Sequence, residues 1–456
     1  MQGTHPDHHA LERFACGDVS DDESGRIERH LRTGCITCQS EVDRLLLPLA
    51  VDPDTWRELV DAVPSFLSDD PAALARTFER LEKRLSQIEL ERAAAPHLEA
   101  ALFTHPRTER FSVLRRRPEL HTLALCDLLI EQSAEAGALD PSRALELAEL
   151  AVEVSDCLAA AHYGTSVVQD LKARAWAYLG NARRLGGDLA GADQALSYAE
   201  ALAEEGSADP LEEARILDLK AFLLADQGWL EGAAELLDLS VEIYGDIRDA
   251  HRRGRALIFQ GIVQGNAGLA ERAIPLLEEG LRGVELQREP HLPQIAAFHL
   301  AWFLNDCGRS AEAAALLPEL RRAAAEATEP WTALRLTWLA GRIAAGRAAF
   351  AEAEAAFKEA RRSFLGRDLG YDASLVTLDL AALYLQQGRI EEVERLADEM
   401  FPLFVARDVH GQANAALVAF KQATERELLT LGLIQDIGAY LLRARRNPRL
   451  RYDGFR

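Results

Sequence analysis

The sequence predicts an all-α protein, in which a small three-helix N-terminal domain precedes a right-handed α-α superhelix. Two observations predict it. Alanine, leucine, glutamate and arginine dominate the 456 residues and β-branched residues are sparse, a composition that favours helices. Small residues also recur about every 40 residues through half of the chain, as they do in stacked helical hairpins.

The N-terminal domain contains a compact group of metal-ligating residues. Ser20 and Glu23 have the spacing of a capping box, which begins a helix, and His30 lies in that helix's last turn. Cys35 and Cys38 open the next helix three residues apart and therefore share a side. One imidazole and two thiolates thus converge, and zinc prefers these ligands.

A closed zinc site needs a fourth ligand, and residues 1–47 are too few for a stable core without a metal. Four protein ligands leave no open position for substrate, so we expect one structural Zn²⁺. The upstream candidates for the fourth ligand are His5, His8, His9 and Cys16.

The stretch "ERHLRTGCITCQSEV" resembles the zinc-binding anti-sigma factors of bacteria, in which a helix ending in "HL" precedes a C-x-x-C helix start. Four residues separate the histidine and first cysteine here, instead of that family's three. The resemblance implies a last ligand about 25 residues before His30, which gives the set His5, His30, Cys35 and Cys38. It also implies a sigma factor as the domain's partner. The alternatives are a redox C-x-x-C motif, or two unpaired thiols beside a surface histidine.

Residues 48–118 form a predicted linker and long helix. Prolines are frequent from 48 to 71, and an apolar stripe with helical spacing follows. The stripe consists of Leu74, Phe78, Leu81, Leu85 and Ile88.

The repeat array is predicted for 119–446, before a basic tail at 447–456. Its hairpins repeat three features: a small residue in the first helix, a turn glycine, and a second small residue twelve positions after the first. The first small residues are Gly180, Ala221, Gly261, Ala301, Gly341 and Ala381, and the second are Ala192, Ala233, Ala273, Ala313, Ala353 and Val393. The turn positions are Gly187, Gly228, Gly268, Gly308, Ala348 and Gly388. Small residues allow two helix backbones to approach closely.

Large apolar residues four positions after the second small residue, such as Leu196 and Phe357, are expected to pack against the next hairpin. Helices at 119–137 and 141–160 are expected to form an irregular first hairpin, and helices near 411–426 and 428–445 to close the other end.

This pattern, with "W-x-x-L-G" ending at Gly180, resembles the tetratricopeptide repeat. That family's unit has 34 residues, and its position-11 aromatic is matched here only by Tyr384. The resemblance implies a groove, lined by the first helices, that binds a peptide or protein. The candidate partner-binding residues on that face are Arg174, Asn181, Arg215, Arg255, Trp302, Arg335 and Trp338. Arginines at one repeat position are expected to form a cationic row, or alternatively to pair with neighbours such as Asp170 and Asp218.

Several classes are disfavoured. A net charge of −22 argues against general nucleic-acid binding, despite the basic segment 443–456. We find neither a signal peptide nor an apolar run of 18 residues, so we expect no membrane association. Six scattered cysteines suit the cytoplasm. Nucleotide-binding, zinc-protease and serine-hydrolase motifs are missing, so we expect no catalysis.

The sequence therefore predicts a non-catalytic bacterial regulator, with a zinc-stabilised anti-sigma-like domain and a repeat array that binds a peptide or protein. The alternative is a general assembly scaffold in which zinc is only a structural cap. A thiol redox protein that uses Cys35 and Cys38 is a third possibility.

Overall fold

A computed structural model describes most of the protein from residue 71 onward. The continuous stretches are 71–137, 140–326, 330–405, 411–425 and 428–446, and the earlier residues described are 6, 10, 11, 27 and 30. Within them every regular element is a helix, which confirms the all-α prediction.

The helices are numbered α1 to α19 in chain order. The first seven are α1 Pro71–Phe103, α2 Arg107–Arg116, α3 Leu123–Ala136, α4 Pro141–Cys157, α5 Ala160–Tyr163, α6 Thr165–Leu185 and α7 Leu189–Glu204. The next six are α8 Pro210–Asp226, α9 Leu230–Asp246, α10 Ala250–Asn266, α11 Ala270–Gly283, α12 Leu292–Asp306 and α13 Ser310–Glu326. The last six are α14 Pro330–Gly346, α15 Phe350–Leu365, α16 Gly370–Gln386, α17 Ile390–Val405, α18 Gly411–Glu425 and α19 Leu431–Arg446. A short 3₁₀ turn, Pro118–Leu120, precedes α3.

The chain packs as two compact units, residues 1–219 and 220–456, and the border lies within α8. In the first unit, α3 and α4 form the predicted first hairpin. Its helices are joined where Ser133 donates a hydrogen bond to the carbonyl of Ala144 at 2.8 Å. In the second unit, helices α18 and α19 lie where helices were expected, and α19 packs on α16. None of the described helices is long and apolar enough to cross a membrane.

The turns inside the hairpins follow the predicted period. Each of the five turn glycines has a positive φ, between 70° and 87°. Ala348 occupies the fifth of the six turn positions with φ of 57°, a conformation that costs an L-residue about 1–2 kcal/mol. Glycine is therefore the favoured residue at this turn, although the backbone also accommodates an alanine there.

The predicted small residues lie where two helices of one hairpin touch. A Cβ atom on Gly180 would approach Leu196 Cγ to 2.8 Å, and one on Gly261 would approach Leu277 Cγ to 2.9 Å. Phe357 lies equally close to Gly341. The large residues thus pack against the small residue of their own hairpin, a contact that the sequence prediction had assigned to the next hairpin.

Candidate functional site

An open groove of about 1610 Å³ lies within the second unit. The first helices of three hairpins, α12, α14 and α16, supply much of its lining, and α9 and α19 contribute to it as well. Its central side chains are Phe298, Trp302, Arg335, Trp338, Arg342, Asp306 and Asp379.

Two tryptophans form an aromatic wall of the groove. The ring centroids of Trp302 and Trp338 lie 4.9 Å apart, with their planes at 88°. Trp338 is only 3% exposed and donates a hydrogen bond from Nε1 to Asp379 Oδ2 at 2.6 Å. Trp302 is half-buried. The pair is therefore fixed by edge-to-face packing and by a charged acceptor, while Trp302 keeps some surface available for contact.

Arg342 lies beside this wall. Its guanidinium is 4.3 Å from the Trp302 ring centroid, and its Nη2 donates to Asp306 Oδ1 at 3.0 Å. Its Nε lies 3.8 Å from Asp379 Oδ2. Burial disfavours the charge of Arg342, but the two carboxylates raise its pKa above the ordinary value. Burial likewise raises the pKa of Asp306, although the charge of Arg342 opposes that shift.

Arg335 and Phe298 extend the same surface. The guanidinium of Arg335 is 5.9 Å from the Phe298 ring centroid, and the Phe298 and Trp302 rings are 6.0 Å apart. The structure thus brings together three of the predicted partner-binding residues, Trp302, Trp338 and Arg335, in one groove.

The first unit holds two other predicted arginines, and both contact carboxylates. Arg174 Nε donates to both oxygens of Glu212 at 3.0 and 3.1 Å, and its Nη1 donates to Asp127 Oδ1 at 2.6 Å. Arg215 donates to the same Glu212 at 2.6 Å, and Glu212 is 2% exposed. These side chains form a partly buried ion network, as the alternative of acid-paired arginines expected, and the carboxylates that these hydrogen bonds join are Glu212 and Asp127.

Arg255, in the second unit, contacts Glu289 at 3.2 Å and lies 5.2 Å from the Phe259 ring centroid. Asn181, in the first unit, accepts a hydrogen bond from Arg184 at 2.9 Å. Arg174, Arg215 and Arg255 are therefore each paired with a carboxylate that compensates the positive charge.

Sequence reasoning missed Arg342, Asp306 and Asp379. The repeat pattern could have indicated Arg342. Arg342 directly follows the small residue Gly341, as Trp302 directly follows Ala301, so Arg342 and Trp302 occupy the same position in consecutive hairpins. Stacked hairpins bring such positions together.

Most of the predicted zinc ligands, His5, Cys35 and Cys38, lie outside the described residues, as do the alternatives His8, His9 and Cys16. His30 is described, in a helical conformation and half-buried. Among the described residues, no group of three or more histidine, cysteine, aspartate or glutamate side chains is placed to hold a metal. This leaves the predicted site as an expectation.

Comparison with solved structures identifies the architecture. A Rap protein complexed with competence and sporulation factor is similar with a TM-score of 0.53 and 13% identity, over 70% of this chain and 87% of that chain. The fold is a tetratricopeptide-like helical repeat. Aspartyl phosphate phosphatase F from Bacillus subtilis is similar with a TM-score of 0.47 and 13% identity, over 88% of this chain and 96% of its own. Yeast Tom70 is similar with a TM-score of 0.35 and 15% identity, over 92% of this chain and 88% of its own. No family model and no curated protein matches the sequence.

Proposed function

We propose that this protein is a non-catalytic regulator that binds a peptide or protein segment in the groove of α12, α14 and α16. The observation that carries the proposal is the aromatic wall of Trp302 and Trp338, flanked by Arg335 and Arg342. Tryptophan and arginine in well-packed pockets dominate the energetics of protein interfaces. The similar Rap protein, complexed with competence and sporulation factor, supports a partner of this kind.

The test begins with capture of partners by the full-length chain and their identification by mass spectrometry. Binding of the identified partner is then measured by calorimetry with purified wild type, Trp302→Ala and Arg335→Ala. We expect each variant to weaken binding about tenfold or more, as for residues at the centre of an interface.

Trp176→Ala is the matched control, because Trp176 lies on α6 in the first unit and packs edge-to-face on Tyr198. We expect it to bind as wild type does. Circular dichroism confirms that each variant remains folded. Folded Trp302→Ala and Arg335→Ala proteins with wild-type affinity would place the partner elsewhere and refute the groove as its site.

The N-terminal residues add a second element to the proposed function. Two imidazoles and two thiolates suit tetrahedral zinc, so His5, His30, Cys35 and Cys38 would hold one structural Zn²⁺ and stabilise residues 1–47. Thiolate ligands also suit the cytoplasm as the protein's compartment. By its resemblance to anti-sigma factors, this domain would bind a sigma factor.

Zinc content and sigma-factor capture test this element with the full-length chain. We expect about one zinc per chain, lost in Cys35→Ser/Cys38→Ser together with sigma-factor binding, while a groove partner is retained. Zinc without a sigma factor would leave a structural cap on a general scaffold. A chain that binds no zinc but forms a reversible disulfide between Cys35 and Cys38 would instead support a redox role.

A further inference from the structure

The groove has an excess of acidic side chains. Its lining includes four acidic residues, Glu231, Glu235, Asp306 and Asp379, against two arginines, Arg335 and Arg342, and one histidine, His299. Arg342 is shared between the two aspartates. Glu231 and Glu235 are exposed on α9, and neither forms an ion pair with another described residue. A ligand with positive charge is therefore favoured by the electrostatics of the groove.

The last described helix, α19, contributes to the lining of this groove. Gln435, Gly438 and Ala439 of α19 belong to the groove lining, and a Cβ atom on Gly438 would lie 3.9 Å from Leu378 of α16. Helix α19 continues to Arg446, seven residues beyond Ala439, which is about 10 Å along the helix axis. The segment 447–456 lies outside the described residues, and ten residues can span up to about 33 Å. Its length therefore exceeds the distance of about 10 Å back to Ala439, the nearest groove-lining residue of α19 along the chain.

The composition of this segment complements the groove. "NPRLRYDGFR" contains Arg449, Arg451 and Arg456 against a single acid, Asp453, together with a tyrosine and a phenylalanine. Arginine binds carboxylates through a planar fork and stacks on aromatic rings. Arg342 already makes both kinds of contact inside the groove, with Asp306 and Trp302.

We propose that the basic segment 447–456 binds in the groove of its own chain and competes there with an external partner. The contact itself does not depend on any external partner, so it can be tested without one. Its binding energy comes from the attraction of its arginines to the acidic groove, to which Glu231 and Glu235 contribute, and from aromatic contact with the tryptophan wall.

The test uses the full-length chain with Tyr452 replaced by p-benzoylphenylalanine, a photo-crosslinking residue. After illumination, mass spectrometry locates the crosslinks. We expect them on α9, α12, α14 or α16, at groove-lining residues, with a yield per chain that does not change with protein concentration. A Glu231→Gln/Glu235→Gln variant should lower that yield about threefold or more.

Glu319→Gln/Glu359→Gln is the charge-matched control, because both residues are exposed on second helices, α13 and α15, and neither lines the groove. Its yield should equal that of wild type. Crosslinks outside the groove, or the absence of crosslinks, would overturn the proposal. A yield that rises with protein concentration would overturn the intramolecular contact and show a second copy of the chain as the occupant. These crosslinking results are independent of the proposed function, because that proposal is tested by the binding of an external partner to the Trp302→Ala variant.

Discussion

Gly254 marks a close approach of two helix backbones in the second unit, and replacing it by alanine gives a sharp test of the packing. A Cβ atom there would lie 2.8 Å from the carbonyl oxygen of Gly280 and 3.1 Å from the Cα of Gly283. The reverse contact is as tight, since a Cβ on Gly280 would lie 2.7 Å from the carbonyl oxygen of Gly254. Because these atoms belong to the backbone, no side chain can rotate away, and α10 and α11 would have to separate.

The expected magnitude follows from two opposing effects. Overpacking costs about 1–3 kcal/mol, and a clash with backbone belongs in the upper half of that range. Alanine in a helix interior recovers up to about 1 kcal/mol relative to glycine. We therefore expect Gly254→Ala to lower the free energy of unfolding by about 1–2 kcal/mol.

Gly438→Ala is the matched control for helix propensity. Gly438 lies inside α19, and its added Cβ would meet Leu378 at 3.9 Å, an ordinary contact. We expect this variant to gain up to about 1 kcal/mol, so that the two variants differ by about 2–3 kcal/mol. Urea unfolding followed by far-UV circular dichroism measures the difference, with the denaturant slopes compared as a check on the unfolding model. A Gly254→Ala protein as stable as Gly438→Ala would refute the close backbone contact.

Three further substitutions test individual contacts by the same unfolding measurement. Trp338→Phe removes the hydrogen bond to Asp379 and should cost about 1.5–3 kcal/mol, so wild-type stability would contradict that bond. Ala348→Gly relieves the positive φ and should stabilise by about 0.5–1 kcal/mol, whereas a loss of stability would show that the alanine turn is unstrained. Hydrogen bonds, first from Arg389, hold the pKa of Glu354 at about 2, below its ordinary 4.5. Folding lowers this pKa, so ionised Glu354 contributes to the free energy of unfolding. That contribution is complete above the unfolded-state pKa and is lost as pH falls through the folded-state pKa. Glu354→Gln should therefore lower the free energy of unfolding by about 1–2 kcal/mol near pH 7, after solvent screening, and by little near pH 2. An equal loss of stability at both pH values would exclude the ionised carboxylate as the cause.

The sequence predicted the backbone of the repeats better than their side-chain partners. The positive φ of Gly187 recurs at each of the six turns, and the close packing of Gly180 recurs at Gly261 and Gly341, so the 40-residue period made both features visible. The contact of Gly254 with Gly280 and Gly283 occurs outside the two periodic positions, and no sequence pattern indicated it. Periodic features are constraints shared by all hairpins, and a single sequence shows such constraints directly.

The arginines show why charged partners were harder to predict. Arg174 was placed on the correct helix, but its carboxylates come from Asp127 on α3 and Glu212 on α8. Those partners are 47 and 38 residues away in the chain. Many acidic residues lie at comparable distances in a chain with 73 aspartates and glutamates, so only the packed helices select the pair.

These ion pairs decide which part of the array is suited to recognition. If the arginines at this one repeat position had no carboxylate partners, several hairpins would present the same cation, and any acidic ligand could bind to them. Glu212 instead compensates both Arg174 and Arg215, and Glu289 contacts Arg255, so the attraction of these arginines for a second carboxylate is reduced. The groove differs at the position after the small residue, where Trp302 is followed one repeat later by Arg342, and an arginine can therefore stack on a tryptophan. Selectivity follows from this change between hairpins. A surface that is identical in every repeat cannot fix the register of a bound chain, whereas a groove with one tryptophan wall and the acidic side chains of Glu231 and Glu235 can.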